Sequence, residues 1–311
     1  MLQPVTPPKR TSDKPHAGRP APSGRPGRLR VPRALTPVLA AALAGLAVTA
    51  AFPPIGLWWA APVGIAVLLG SLQGRGTGAG AGLGLVFGLA FFAPLLHFTA
   101  VAMGNPIGWV ALTLVQALYT AALGAAWALV GRLPALAGGP GALRAAAVRT
   151  VSFTVLWCGV EELRSSWPWG GFPFGRLAFA MADAPMLPFA AYGGSVGLTL
   201  LVVLIGACVF EAVNAVRTRA LLPALVASAC AGLALAAPHA LPVHTAAEDG
   251  TLRVGAVQGN VAKDFEDAFN RALEVTGNHA QATDQLAADV GGRSLDVVIW
   301  PENAADLDPR T

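Results

Sequence analysis

The sequence predicts a multi-span α-helical membrane protein of about seven transmembrane helices, followed by the beginning of an α/β layer. Three observations predict it. Of the 311 residues, 54% are hydrophobic and only 12% are charged, whereas an average soluble domain carries roughly a quarter charged residues. Apolar segments of near-bilayer length recur along residues 34–240. From residue 250 onwards the spacing changes, and a strand, an amphipathic helix and a second strand follow one another.

The first 33 residues come before any of these. They are rich in Pro, Gly and Arg, contain eight of the 21 Lys and Arg, and hold one acid, Asp13. Such a segment has too little apolar surface to form a core and is expected to be a disordered cytoplasmic tail. A basic tail can bind nucleic acid, but beside a membrane segment it acts as a topology anchor. No nucleic-acid partner is therefore expected.

The apolar segments fall at roughly 34–51, 56–72, 79–103, 107–131, 147–163, 188–212 and 220–238. Most approach the ~20 residues needed to cross ~30 Å of hydrocarbon, and 147–163 is a marginal span. Arginine counting tests the assignment independently. With the N-terminus inside, the tail and inner segments carry fourteen basic residues, and the outer loops carry only Arg164 and Arg176. This is a positive-inside pattern, and it places residues 250–311 outside the cell membrane. Trp58, Trp59, Trp109, Trp157, Trp167 and Trp169 then fall towards the outer interface, as an aromatic belt. The small residues of "AVTAAF" raise the possibility of a cleaved signal peptide, but the basic region is too long and six more spans follow.

Gly80, Gly84 and Gly88 recur at intervals of four, which places them on one helix face. They predict close helix packing rather than a phosphate loop, because no strand precedes them. Cys158, Cys208 and Cys230 all sit in apolar runs without ligand-spaced partners, so neither a metal nor any other cofactor is expected.

From residue 250, "TLRVGAVQGN" reads as a short strand ending in Gly-Asn. A helix follows, with Phe265, Phe269, Leu273, Thr276, Ala280, Thr283 and Leu286 on its apolar side. "LDVVIW" then forms a continuous apolar strand of the kind found in buried sheets. One β-α-β turn is too little for a stable open sheet, so the domain at 250–311 is expected to be incomplete.

Polar groups stand out in three places. Glu302 follows Pro301 at the carboxyl end of the last strand, where catalytic groups of α/β folds gather. A partly desolvated glutamate there can act as a general base, but on local grounds alone a solvated loop acid is the favoured reading. At the outer end of the fifth span, "GVEELRSSWPWGGFPFGRLAF" carries Glu161, Glu162 and Arg164 ahead of a loop containing Phe172, Pro173 and Phe174. Charges at membrane depth are costly. They either pin such a loop as a pair or serve a substrate entry. His97, at the end of the third span, reads as a packing residue, and Glu211, near Arg217, as an interfacial charge.

These residues, in this order, resemble the apolipoprotein N-acyltransferases. "RVGAVQGNV", a long helix and "DVVIWPENA" are similar to the opening of a nitrilase-like (CN-hydrolase) α-β-β-α domain. Upstream, "FPPIGLWWAAPVGIAVLL", "GLVFGLAFFAPLLHF", "EELRSSWPWGGFPFGRLAF" and "AAYGGSVGLTLLVVLIGA" are similar to the family's membrane region. The Arg- and Pro-rich tail and the Gly and Ala content point to a GC-rich, actinobacterial source.

The resemblance implies transfer of a fatty acyl chain from a membrane phospholipid to the N-terminal diacylglyceryl-cysteine of a lipoprotein. It implies a Glu-Lys-Cys triad, in which the Glu takes the thiol proton, the Cys carries a thioacyl intermediate and the Lys stabilises the oxyanion. Only Glu302 matches a triad position. Lys263 precedes it and does not match the family's lysine, so the 311-residue chain by itself is expected to be inactive. Glu162, Arg164, Phe172, Pro173, Phe174, Gln258 and Asn260 are the candidate substrate-binding residues. Phe174 stands where many members have Trp. Two alternatives stay open: a membrane-tethered nitrilase-type amidase acting on a soluble substrate, and a non-enzymatic transporter or scaffold.

Overall fold

A computed structural model describes residues 35–134, 143–243, 246, 249–260, 272–302, 304 and 305. The tail, Lys263, Phe265 and Phe269 lie outside the described residues. The apolar segments fold into helices α1 (Thr36–Ala50), α2 (Ala60–Leu72), α3 (Thr77–Leu95), the short α4 (Phe98–Ala102), α5 (Pro106–Val130), α6 (Leu143–Ser166), α7 (Ala190–Arg217) and α8 (Leu221–Ala236). Five stretches are long and apolar enough to cross a membrane: α3, α5, α6, Leu187–Arg217 and Leu221–Ala240. Helices α1 and α2 are apolar but shorter.

The helices pack around an aromatic centre. Phe87 of α3 meets Trp157 of α6 edge-on at 5.9 Å, and Phe153 meets Trp127 of α5 at 5.0 Å. Trp157 is buried in this core, not part of an interfacial belt. Trp59, Trp167 and Trp169 are exposed. Large apolar side chains such as Leu43, Leu118, Val155, Leu225 and Leu233 cover the perimeter. A bundle with an apolar core and an apolar perimeter is stable in lipid, because each helix satisfies its own backbone polar groups.

Helices α3 and α5 approach closely because Gly80, Gly84 and Gly88 face the partner. A Cβ on Gly84 would lie 2.1 Å from the Thr120 carbonyl oxygen, and one on Gly80 would lie 2.4 Å from that of Gly124. Only glycine fits there. Helix α3 stops at Leu95, short of the apolar segment that contains it. Pro94 has no N–H to donate to Ala90, and a turn follows before α4. Neighbouring helices hold the carbonyls of this last turn: Thr49 Oγ1 donates to Phe91 O at 2.8 Å, and the Trp109 indole donates to Ala93 O at 2.8 Å. His97 sits at the break, exposed, with its ring edge-on to Trp109.

Glu211 is buried, and its partner is Arg149 of α6 rather than Arg217. Both carboxylate oxygens accept guanidinium N–H groups at 2.7 Å. This is a bidentate pair between helices, a geometry that suits Arg to a carboxylate away from water.

Strands β1 (Val254–Ala256) and β2 (Val297–Ile299) pair in parallel, Val254 opposite Val297, with α9 (Ala272–Val290) as the crossover. A parallel pair needs such a crossover. Val275 and His279 are buried on α9 while Ala280 is exposed, so the inward stripe is displaced from the one containing Thr276 and Ala280. Val254, Val297, Val298 and Ile299 are exposed, so among the described residues the strands are not the buried sheet their composition suggests.

Candidate active site

Two constellations carry the polar chemistry. The first lies at the end of α6, where residues 161–177 turn back on the bundle. Arg164 is buried beneath the turn. Its guanidinium donates to Gln116 Oε1 at 3.1 Å and to the carbonyls of Phe172 and Phe174 at 2.9 and 2.6 Å. It also lies over the Phe92 ring, 5.3 Å from the centroid. A single cation thus holds both ends of the Phe-Pro-Phe segment to two helices. Glu161, one turn earlier, accepts from Thr199 Oγ1 at 2.7 Å and from the Leu177 N–H at 3.2 Å, tying the outgoing chain to α7. Glu162 faces outward and pairs with Arg176.

The two adjacent acids therefore do different work. Glu161 is a buried anchor and Glu162 is a surface partner. What the loop presents outward is aromatic. Phe172 and Phe174 stack at 4.8 Å, Phe98 of α4 packs on Phe174, and Trp169 is fully exposed. Pro173 is exposed as well. Gln116 and Thr199 were not singled out from sequence. Each is one of several polar residues in a mostly apolar helix, so nothing in the sequence set it apart.

The second constellation is at the carboxyl ends of the parallel strands. The Val257 N–H donates to Ile299 O at 3.0 Å, extending the pairing by one residue. The chain then turns through Gln258, Gly259 and Asn260. Gln258 Oε1 accepts the Asn260 N–H at 3.1 Å, and Asn260 has φ 63°. These two polar residues fold the loop on itself. Gly259 seats it on α9, where a Cβ would lie 2.6 Å from the His279 backbone N and from Nδ1.

On the other side of His279 lies Trp300, with ring centroids 5.5 Å apart. The Trp300 indole donates to Thr283 Oγ1 at 3.0 Å, and that hydroxyl donates to His279 O at 2.8 Å. His279 Nδ1 meets Val275 O at 2.7 Å, which makes Nδ1 the protonated nitrogen. His279, which sequence reasoning had left unmarked, is thus the wedge between the two strand-end loops. Two residues beyond Trp300, Glu302 is exposed rather than partly desolvated. Among the described residues nothing closes over it.

Cys158 and Cys208 are buried in α6 and α7, and Cys230 is exposed on α8. Among the described residues, no group of three or more His, Cys, Asp or Glu comes together in a way that could hold a metal ion.

The fold and these sites define a multi-pass helical membrane protein with a small α/β unit behind its last apolar helix. Residues 44–208 match the family described as the apolipoprotein N-acyltransferase N-terminal domain, and the chain belongs to that family. It is 32% identical over 293 residues to the apolipoprotein N-acyltransferase of Mycolicibacterium smegmatis, covering 88% of this chain and 47% of that protein. It is 25% identical to that of Photobacterium profundum (86% and 49%) and 27% identical to that of Vibrio vulnificus (86% and 50%). The chain spans about half the length of the curated relatives it matches.

Proposed function

We propose that this chain serves the transfer of a fatty acyl chain from a membrane phospholipid to the N-terminal diacylglyceryl-cysteine of a lipoprotein, through a thioacyl intermediate. The observation that carries the reading is the parallel β-α-β unit with Glu302 just past its second strand, in a chain that belongs to the apolipoprotein N-acyltransferase family. Glu302 is the general base for the thiol. Gln258 and Asn260 shape the facing loop, and His279 with Trp300 sets the spacing between the two.

All seven apolar helices, α1 and α2 included, cross the cell membrane. The N-terminus is cytoplasmic and residues 250–311 begin an extracytoplasmic nitrilase-like domain. The aromatic surface of Phe172, Pro173 and Phe174 lies at the outer interface and guides the acyl chains of donor and acceptor. Arg164 keeps that surface in place from below, and Glu162 with Arg176 fixes its outer edge.

The test is labelling of the full-length membrane protein from a phospholipid with a radiolabelled acyl chain. A hydroxylamine-sensitive label, as a thioester gives, is expected. Absence of labelling, together with hydrolysis of a soluble amide, would instead identify an amidase.

A further inference from the structure

The end of the bundle opposite the Phe-Pro-Phe turn contains a cavity of about 400 Å³. Arg149, on its wall, lies 15 residues before Arg164 on α6, roughly 22 Å along the helix axis. Arg75 after α2, Arg132 after α5, Arg149 of α6 and Asn214 of α7 supply the polar side, and Trp127 and Phe210 belong to the apolar side.

The charge in this cavity is not balanced. Glu211 neutralises Arg149. Arg132 donates to the neutral Thr77 hydroxyl at 3.0 Å, and Arg75 reaches only the Ser71 carbonyl at 3.4 Å. Neither meets a carboxylate among the described residues. Glu211 is the one acid in the inner segments between α2 and α8, and the connecting residues 135–142, "ALAGGPGA", contain none. Two guanidinium groups therefore share a concave site with no counter-ion among the described residues, above a wall of aromatic and aliphatic side chains.

We propose that this cavity binds the phosphate-bearing head group of an anionic phospholipid, with the start of an acyl chain against Trp127 and Phe210. Basic pockets between transmembrane helices recognise phosphorylated head groups by this combination. Planar guanidinium groups match phosphate oxygens well. The apolar wall separates this ligand from free phosphate, which would gain nothing from it. The site is distinct from the donor site proposed above, at the other end of the helices. The orientation proposed above decides only which leaflet supplies the lipid.

The experiment titrates the detergent-solubilised chain with dioctanoyl phosphatidylglycerol, dioctanoyl phosphatidylcholine and inorganic phosphate, resolving bound species by native mass spectrometry. One phosphatidylglycerol is expected to bind at least about tenfold more tightly than phosphatidylcholine. The double variant Arg75→Gln/Arg132→Gln is expected to lose roughly thirtyfold in affinity, from two charges at an anionic head group. Arg75→Lys/Arg132→Lys keeps the charge and is expected to retain most of the binding. Equal affinity for the two lipids, unchanged binding in the Gln variant, or equal loss in the Lys variant overturns the proposal. Displacement of the lipid by equimolar inorganic phosphate overturns it too, since it would mark a site for free anions.

Discussion

The helical bundle and the α/β unit both expose large apolar side chains, for opposite reasons. Leu225 and Leu233 in the bundle are 68% and 67% exposed, and Leu252 and Ile299 around the strands are 73% and 52% exposed. On a helix this surface is compatible with lipid, because the backbone groups beneath it are already paired. A two-stranded sheet has free edges, and neither lipid nor water stabilises an apolar strand with an open edge. The buried polar groups do not divide in the same way. Glu161, Arg164 and Glu211 have partners on other helices, but Thr113 Oγ1 and Ser165 Oγ in the bundle, like His279 Nε2 in the α/β unit, are buried with no hydrogen-bond partner among the described residues.

This contrast makes graded predictions, each measured as unfolding free energy of the detergent-solubilised chain. Arg164→Ala leaves Gln116 and two carbonyls unpaired and is expected to cost about 3–5 kcal/mol, the usual effect of removing one side of a buried charged network. Glu211→Ala is expected to cost about 3 kcal/mol, and adding Arg149→Ala should restore part of it, because the first change takes away the carboxylate that both guanidinium N–H groups meet. If the two losses simply added, Arg149 and Glu211 would not act as a pair. Gly84→Val drives a side chain into the Thr120 carbonyl and is expected to cost about 1–3 kcal/mol by overpacking. Thr283→Val removes the acceptor of the Trp300 indole and is expected to cost only about 1 kcal/mol. A loss for Thr283→Val as large as that for Arg164→Ala would erase the distinction between the two regions.

Much of the bundle was legible because backbone self-satisfaction in lipid forces long apolar segments, and the Gly80, Gly84 and Gly88 spacing survives in sequence as a packing face. Which side of each helix points inward was not legible. Core and lipid are equally apolar, so Trp157 read as an interfacial residue although it is central. The Arg149 partner of Glu211 was hidden by a separation of 62 residues along the chain, while Arg217, six residues away, was conspicuous. The strand–helix–strand order was legible from its change of period. The inward turn of Val275 and His279 was not, because the helix alternates small and polar residues with little hydropathy contrast. At the strand ends, Gly259 gave no sign that it marks the contact with His279.

Glu302 is proposed above as the base of an acyl transfer. The most direct test is the rate at which the full-length membrane protein moves a labelled acyl chain from phospholipid to a diacylglyceryl-cysteine peptide, wild type against Glu302→Gln. The isosteric amide cannot take a proton, so a fall of about 10²–10⁴-fold is expected, with unfolding unchanged because Glu302 is exposed. Wild-type turnover in Glu302→Gln would contradict the account.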